Sequence, residues 1–333
     1  MIRNLICTTL FAIGMWTITG SAQAAECGNI SVAEMNWGSA GVAAHVDKII
    51  LENGYGCHVT LVTGDTMPTF TSMNEKAEPD VAPELWINAV RTPLDAAVKE
   101  GRLIELAPLL SDGGVEGWWI PRFVVDAHPE ITTVQEALKH PELFPAPENP
   151  SHGGIMNCPS GWNCEIVTSN LYRTLGAKEK GFDLVETGSA AGLSGSIANA
   201  FEKKIGWLGY YWAPTAILGK YDMVKLDFGV PNDKAEWDRC TAVADCPQPK
   251  VNSYPVSVVI TTVTKQFAEK AGVALDYLKM RQWDNQTVGK VLAWMDANQG
   301  TNEDGAKYFL QNYGGMWTKW VSPAVAQKIK ASL

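Results

Sequence analysis

The chain has 333 residues, with 36 acidic against 27 basic side chains and a formal net charge of −9. That balance argues against nucleic acid and against an anionic membrane surface as partners. Beyond the N-terminus no stretch is long and apolar enough for a bilayer span, and the length suggests two lobes, not one ordinary domain.

Residues 1–24 read as an export signal: Arg3 gives a positive start, LICTTLFAIGMW is the apolar stretch, and Ala22-Gln23-Ala24 is a small-x-small cleavage site. A mature chain is expected from about Ala25. Glu26 stands before Cys27 where lipid attachment requires a small residue, so a soluble periplasmic protein is expected and not a lipoprotein. NISVAEMNW then reads as a strand ending in a turn, and SAGVAAHVDKIILENGYG as a helix closing on glycine. CHVTLVTG is a second strand, PTFTSMNEKAEP a helix or loop, and PDVAPELWI a third strand. This order implies a parallel sheet, whose ligands sit at the carboxyl ends of its strands.

The pattern breaks at Gly113-Gly114 and GWWIPR, and a second α/β run follows from GGIMNC to IGWLGYYW. VNSYPVSVVITT looks like a strand returning to the first sheet, and the tail is helical. The expected architecture is α/β and two-lobed. It has two parallel-core sheets flanked by helices and two hinge crossovers, near residues 122 and 249. Lobe I would comprise 25–122 and 250–333, and lobe II 123–249.

Cys7 leaves with the signal, which leaves Cys27, Cys57, Cys158, Cys164, Cys240 and Cys246. An even count in an exported chain reads as three disulfides. The spacing suggests local pairs, Cys158–Cys164 and Cys240–Cys246, with Cys27–Cys57 tying two strand starts. The cysteines include no CxxC pair, and the five histidines do not cluster near them, so no metal or other cofactor is expected.

Thirteen tryptophans are the unusual count. Trp16 goes with the signal. Trp283, Trp294, Trp317 and Trp320 are expected on amphipathic helices of the tail, the last two on one helix face, and read as packing. Five others sit beside turn or loop signals: Trp37, Trp86, Trp119, Trp162 and Trp212. A tryptophan face attracts a soft cation, and several faces brought together would box a methylated onium ion.

The residues around these tryptophans resemble the glycine betaine/proline betaine and choline substrate-binding proteins of ABC transporters. Cys158-Pro-Ser-Gly-Trp-Asn-Cys-Glu165 is similar to the family's Cys-x-x-Gly-Trp-Gly-Cys-Glu loop. Tyr210-Tyr211-Trp212-Ala213-Pro214 is similar to its aromatic-Trp-x-Pro segment. Leu85-Trp86 with Pro93 resembles its first-lobe element, Asn36-Trp37 resembles the Gly-Trp turn of the choline branch, and Trp119 takes the place of another aromatic of that branch. The resemblance implies the two-lobed periplasmic-binding-protein fold (type II-like) and a cage formed from both lobes, with backbone amides of Asn163 and Cys164 holding an anionic end. It implies a small methylated onium ligand, glycine betaine or a close analogue, passed to a membrane permease and ATPase by a monomeric carrier with no chemical step.

Two positions depart from that pattern. Ser39 stands where the choline branch has an aspartate two residues beyond the first cage tryptophan, and Asn163 replaces a glycine. Glu116 is the carboxylate that could face the box and favour a small onium or N-oxide ligand without a carboxylate. Trimethylamine N-oxide, dimethylsulfoniopropionate and choline are alternatives on the same fold. An exported enzyme acting on a methylated amine, through Glu116, His152 or a free thiol, is the alternative of another class. A sugar receptor would also use tryptophan platforms, but it needs more Asp, Asn and Arg than these segments carry.

Overall fold

The computed structural model describes residues 28–333 apart from Ala89. The export segment 1–24 and Cys27 lie outside the described residues. Among the described residues, ten strands form two five-stranded sheets. The first sheet contains β1 (Asn29–Met35), β2 (His58–Gly64), β3 (Val81–Trp86), β4 (Leu103–Pro108) and β10 (Val259–Thr264), in the order β2-β1-β3-β10-β4. The second contains β5 (Val115–Pro121), β6 (Gly153–Met156), β7 (Phe182–Val185), β8 (Gly209–Ala213) and β9 (Met223–Lys225), in the order β7-β6-β8-β5-β9.

Both sheets are mixed. β1 runs parallel to β2 and β3, as the β-α-β-α-β order requires, while β10 lies antiparallel between β3 and β4. In the second sheet β6 is parallel to β7 and β8, and β5 is antiparallel to β8 and β9. The antiparallel strands β5 and β10 are the ones that enter each sheet straight from a crossing between lobes.

The strand pairing corrects the expected positions of those crossings. β5 belongs to the second sheet, so the chain leaves the first sheet between Pro108 and Val115, ahead of residue 122. The return is later than 249. Tyr254 still packs on Tyr210, Phe228 and Trp237 beside the second sheet, and β10 begins only at Val259. The two crossings run side by side, joined by an antiparallel bridge between Gly114 and Ser257. GWWIPR had looked like a break because β5 carries its tryptophans on both faces and so lacks the alternation of a half-buried strand.

Helices cover both sheets and place the strand ends. The helix Gly38–Ile49 follows β1, the helix Thr66–Lys76 follows β2, and the helix Asn163–Thr174 follows β6. Every residue of β3 is buried, as expected for a central strand covered on both faces. Glu84, in the middle of it, is 0 % exposed. Trp317 and Trp320 are buried in the tail, and Trp294 stacks on Tyr308 with centroids 4.3 Å apart. Trp283 lies just before a helix, bridging Leu110. Cys158–Cys164 and Cys240–Cys246 are disulfides, with Cα atoms 5.8 and 5.4 Å apart, and Cys57 is also disulfide-bonded.

Candidate ligand cage

A cavity of about 270 Å³ lies between the two sheets, lined by Trp37, Thr66, Trp86, Glu116, Trp162, Asn163, Cys164, Tyr210 and Trp212. The topology explains why these residues meet. Trp37 caps the helix after β1, Trp86 ends β3, Trp162 caps the helix after β6, and Trp212 lies near the end of β8. All four are at carboxyl ends of strands, or in the turns beyond them, where open α/β sheets leave room for a ligand.

The first-sheet walls are fixed by one carboxylate. Glu84 Oε1 accepts from Trp37 Nε1 at 2.7 Å, Ser39 Oγ at 2.7 Å and Trp86 Nε1 at 2.9 Å. Gly114 lets the Trp86 ring lie against the backbone, since a Cβ there would come within 2.2 Å of Trp86 Cζ3.

The second-sheet walls are held differently. Gly161 adopts a φ of +91°, a conformation that disfavours any side chain, and turns the chain so that Trp162 enters the cleft. The Cys158–Cys164 disulfide closes the same turn. Trp162 Nε1 donates across the cleft to Asn36 Oδ1 at 2.7 Å and Asp65 Oδ1 at 3.1 Å. Asn163 Nδ2 donates to the Trp86 carbonyl at 2.6 Å, so its side chain is committed to the opposite lobe. Trp162 meets Trp37 and Trp212 edge to face, at 5.3 and 5.0 Å between centroids and 72° and 84° between planes. Near-perpendicular neighbours of this kind make adjacent walls of a box. Tyr210 stacks behind Trp212 at 6.2 Å.

Glu116 supplies the acidic group of the cavity. It accepts from Tyr210 Oη at 2.7 Å on one oxygen and from Ser257 Oγ on the other. Burial pushes its carboxyl above the usual carboxylate range, against the pull of those two hydrogen bonds and of Lys225. Burial, and then the nearby Glu116, hold the Tyr210 phenol well above its ordinary value. Among the described residues no lysine, arginine or histidine lines the cavity.

Seven of the eight residues expected at a ligand site border this cavity: Trp37, Trp86, Glu116, Trp162, Asn163, Cys164 and Trp212. Trp119 does not. It alternates with Glu116 along β5 and therefore points to the opposite face, where its indole N–H donates to the Tyr211 carbonyl at 2.9 Å. Tyr210 and Thr66 border the cavity unanticipated. Tyr210 was legible, being two residues from Trp212 on one strand, whereas nothing in the local sequence marks Thr66. His152 pairs with Asp183 at 3.0 Å on the exposed edge of the second sheet, away from the cavity.

Known proteins resemble this chain in sequence and in fold. The trimethylamine N-oxide-binding protein of Pelagibacter ubique is 23 % identical over 318 residues, covering 92 % of this chain and 95 % of the relative. The glycine betaine/L-proline-binding protein (ProX) of Borrelia burgdorferi superposes with a TM-score of 0.72 at 16 % identity, covering 90 % of this chain and 99 % of that one. A lactococcal OpuAC in a closed form with glycine betaine gives 0.64 at 17 % identity, with 89 % and 100 % covered. These two share the fold. Residues 28–312 match the substrate-binding domain of ABC-type glycine betaine transport systems, and the chain belongs to that family.

Proposed function

We propose that the protein is an exported, periplasmic carrier that captures trimethylamine N-oxide, or a methylated onium of similar size, and delivers it to an ABC permease. The observation that carries this reading is a four-tryptophan box containing one buried carboxyl and no cationic side chain. A trimethylammonium head has no N–H to donate, so shape, dispersion and cation–π attraction must select it. Each face contributes about 0.5–2 kcal/mol when water is excluded. Four faces together contribute about 2–8 kcal/mol before ordering costs, so a micromolar complex, at roughly −8 kcal/mol, also needs the burial of the methyl groups and the polar contact at the other end.

The polar end of the ligand decides among relatives. An N-oxide needs a single donor, and burial, by raising the Glu116 pKa, favours the protonated carboxyl that would provide one. A ligand carboxylate would have to share the same space with that acid. Glycine betaine is the second reading, favoured by the start of the helix Asn163–Thr174, whose first two residues border the cavity and whose free amides suit an anion. Trp37, Trp86, Trp162 and Trp212 are the proposed walls, with Glu116, Asn163 and Cys164 at the polar end.

Calorimetry with trimethylamine N-oxide, glycine betaine, choline and dimethylsulfoniopropionate tests this reading. We expect the N-oxide to bind most tightly and to be recovered unchanged after incubation. Tighter binding of glycine betaine would move the polar end from Glu116 to the helix amides. Failure of all four to bind would end the onium reading, and turnover of any of them would make the protein an enzyme.

A further inference from the structure

Glu84 does not line the cavity, yet it holds two of the four tryptophans that do. Its Oε1 takes the indole N–H groups of both first-sheet walls and the hydroxyl of Ser39. Its Oε2 is buried and has no hydrogen-bond partner among the described residues. A proton on Oε2 would therefore be a buried donor with no acceptor, while three donors crowding onto Oε1 stabilise an anion. Behind it lies a fully buried cation. Arg281 Nη2 donates to Thr261 Oγ1 at 2.9 Å, and Thr261 Oγ1 donates to the Pro83 carbonyl, next to Glu84, at 3.0 Å. Burial raises the Glu84 pKa, and the three donors and the Arg281 charge oppose that rise.

We infer that Glu84 is a positioning and polarising residue of the cage: as an anion it fixes the edges of Trp37 and Trp86 on one oxygen and makes both ring faces more attractive to a cation. The inference rests on the onium reading above. The physical reason is twofold. A hydrogen bond to a charged acceptor is stronger than one to a neutral acceptor and draws electron density from the N–H toward the ring. A negative charge buried at the edges of two rings, in low dielectric, also attracts an onium held against their faces. Trp162 shares the cage without this buried anion of its own sheet, so the two lobes offer electrostatically unequal walls.

Glu84→Gln keeps the shape and an acceptor oxygen but removes the charge. The experiment compares binding of trimethylamine N-oxide with binding of tert-butanol, its isostere with a carbon in place of the charged nitrogen, each followed to saturation by indole fluorescence. Polarisation predicts a loss of about tenfold for the N-oxide and under about threefold for tert-butanol. Equal losses for the two would mean that Glu84 only positions the rings, and no loss for either would mean that it does neither. If Glu84→Gln does not fold, the wild type decides. The indole N–H proton resonances of Trp37 and Trp86 should lie downfield of that of Trp119, which meets a neutral carbonyl; resonances upfield of it overturn the anion. A wild type that binds neither compound defeats the onium reading itself, which keeps the two failures apart.

Discussion

Trp37 and Trp86 are tied to a carboxylate of their own lobe, whereas Trp162 finds its acceptors, Asn36 and Asp65, only on the other lobe. The first pair is therefore set before the lobes meet. Trp162 completes its hydrogen bonds only when they have met, so closing the cleft and finishing the box are one event. A ligand that needs all four faces stabilises the closed form by that coupling. Trp212 is intermediate, held by its own strand and by the tyrosine stacked behind it.

The first way to break this comparison is to remove the buried polar floor of the first lobe. Arg281 Nε lies 2.7 Å from Asp47 Oδ1, both residues are fully buried, and Tyr277 Oη donates to the same oxygen at 2.6 Å. Arg281→Met should cost about 3–5 kcal/mol in chemical unfolding, because it strands a buried carboxylate. Burial raises the Asp47 pKa from 3.8 to about 6, against the pull of Arg281 and Tyr277. The folded state thus holds this proton more tightly than the unfolded state does. The stabilisation is complete at acid pH and is lost as the pH rises through the window from 3.8 to about 6. Asp47→Asn should remove that part of the pH slope; an unchanged slope would place the titration elsewhere.

Next in size is the cross-cleft bond. Trp162→Phe keeps a ring face and loses both acceptors, one of them a carboxylate, so affinity should fall by about 1.5–3 kcal/mol. Trp212→Phe gives up no such bond across the cleft and should cost less. A double-mutant cycle of Trp162→Phe with Asn36→Ala should be non-additive. Additive losses would show that the cross-cleft bond does not report closure.

Glu116 gives the third contrast, and its sign separates ligands. If the carboxyl donates to an N-oxide, the complex holds a proton that free protein loses above the Glu116 pKa. Affinity then falls by up to about tenfold per pH unit beyond that raised value. For a ligand with a net positive charge and no anionic oxygen, such as choline, the charged form binds better and affinity rises over the same range. Calorimetry across pH with wild type and Glu116→Gln reads the sign; a flat wild-type profile would remove Glu116 from the ligand's polar end.

The same asymmetry explains what could be read from sequence. Trp37 and Trp86 were legible because β1 and β3 are short, cleanly bounded strands, and their ends are where ligands bind. Trp162 was legible from the cysteines around it. Trp119 was misplaced because a Trp-Trp pair on a doubly buried strand does not say which ring faces which way; only the pairing of β5 with β8 and β9 does. Glu84 was the hardest to read. A lone acid within an apolar strand looks like a local exception, and its three donors come from residues 37, 39 and 86, brought together by parallel pairing of β1 with β3. The crossing at Gly114 was obscured for the same reason as Trp119, since β5 does not alternate.

The smallest effect expected is at the mouth of the cleft. Lys220 Nζ in the second lobe lies 3.2 Å from Asp296 Oδ2 in the first, with 55 % and 47 % of the side chains exposed. Asp296 also borders an open cavity of about 1260 Å³ that shares Trp37 and Trp212 with the cage. Its position suits a latch, but an exposed pair is worth about 0.2–1 kcal/mol and is screened by salt. Lys220→Ala should therefore weaken binding by less than about fivefold, and the difference from wild type should vanish at high ionic strength. A salt-resistant loss as large as that of Trp162→Phe would shift the control of closure from the aromatic cage to its rim. Otherwise the energy of closure lies in the aromatic box and its cross-cleft bonds, where water is excluded and each contact is worth more.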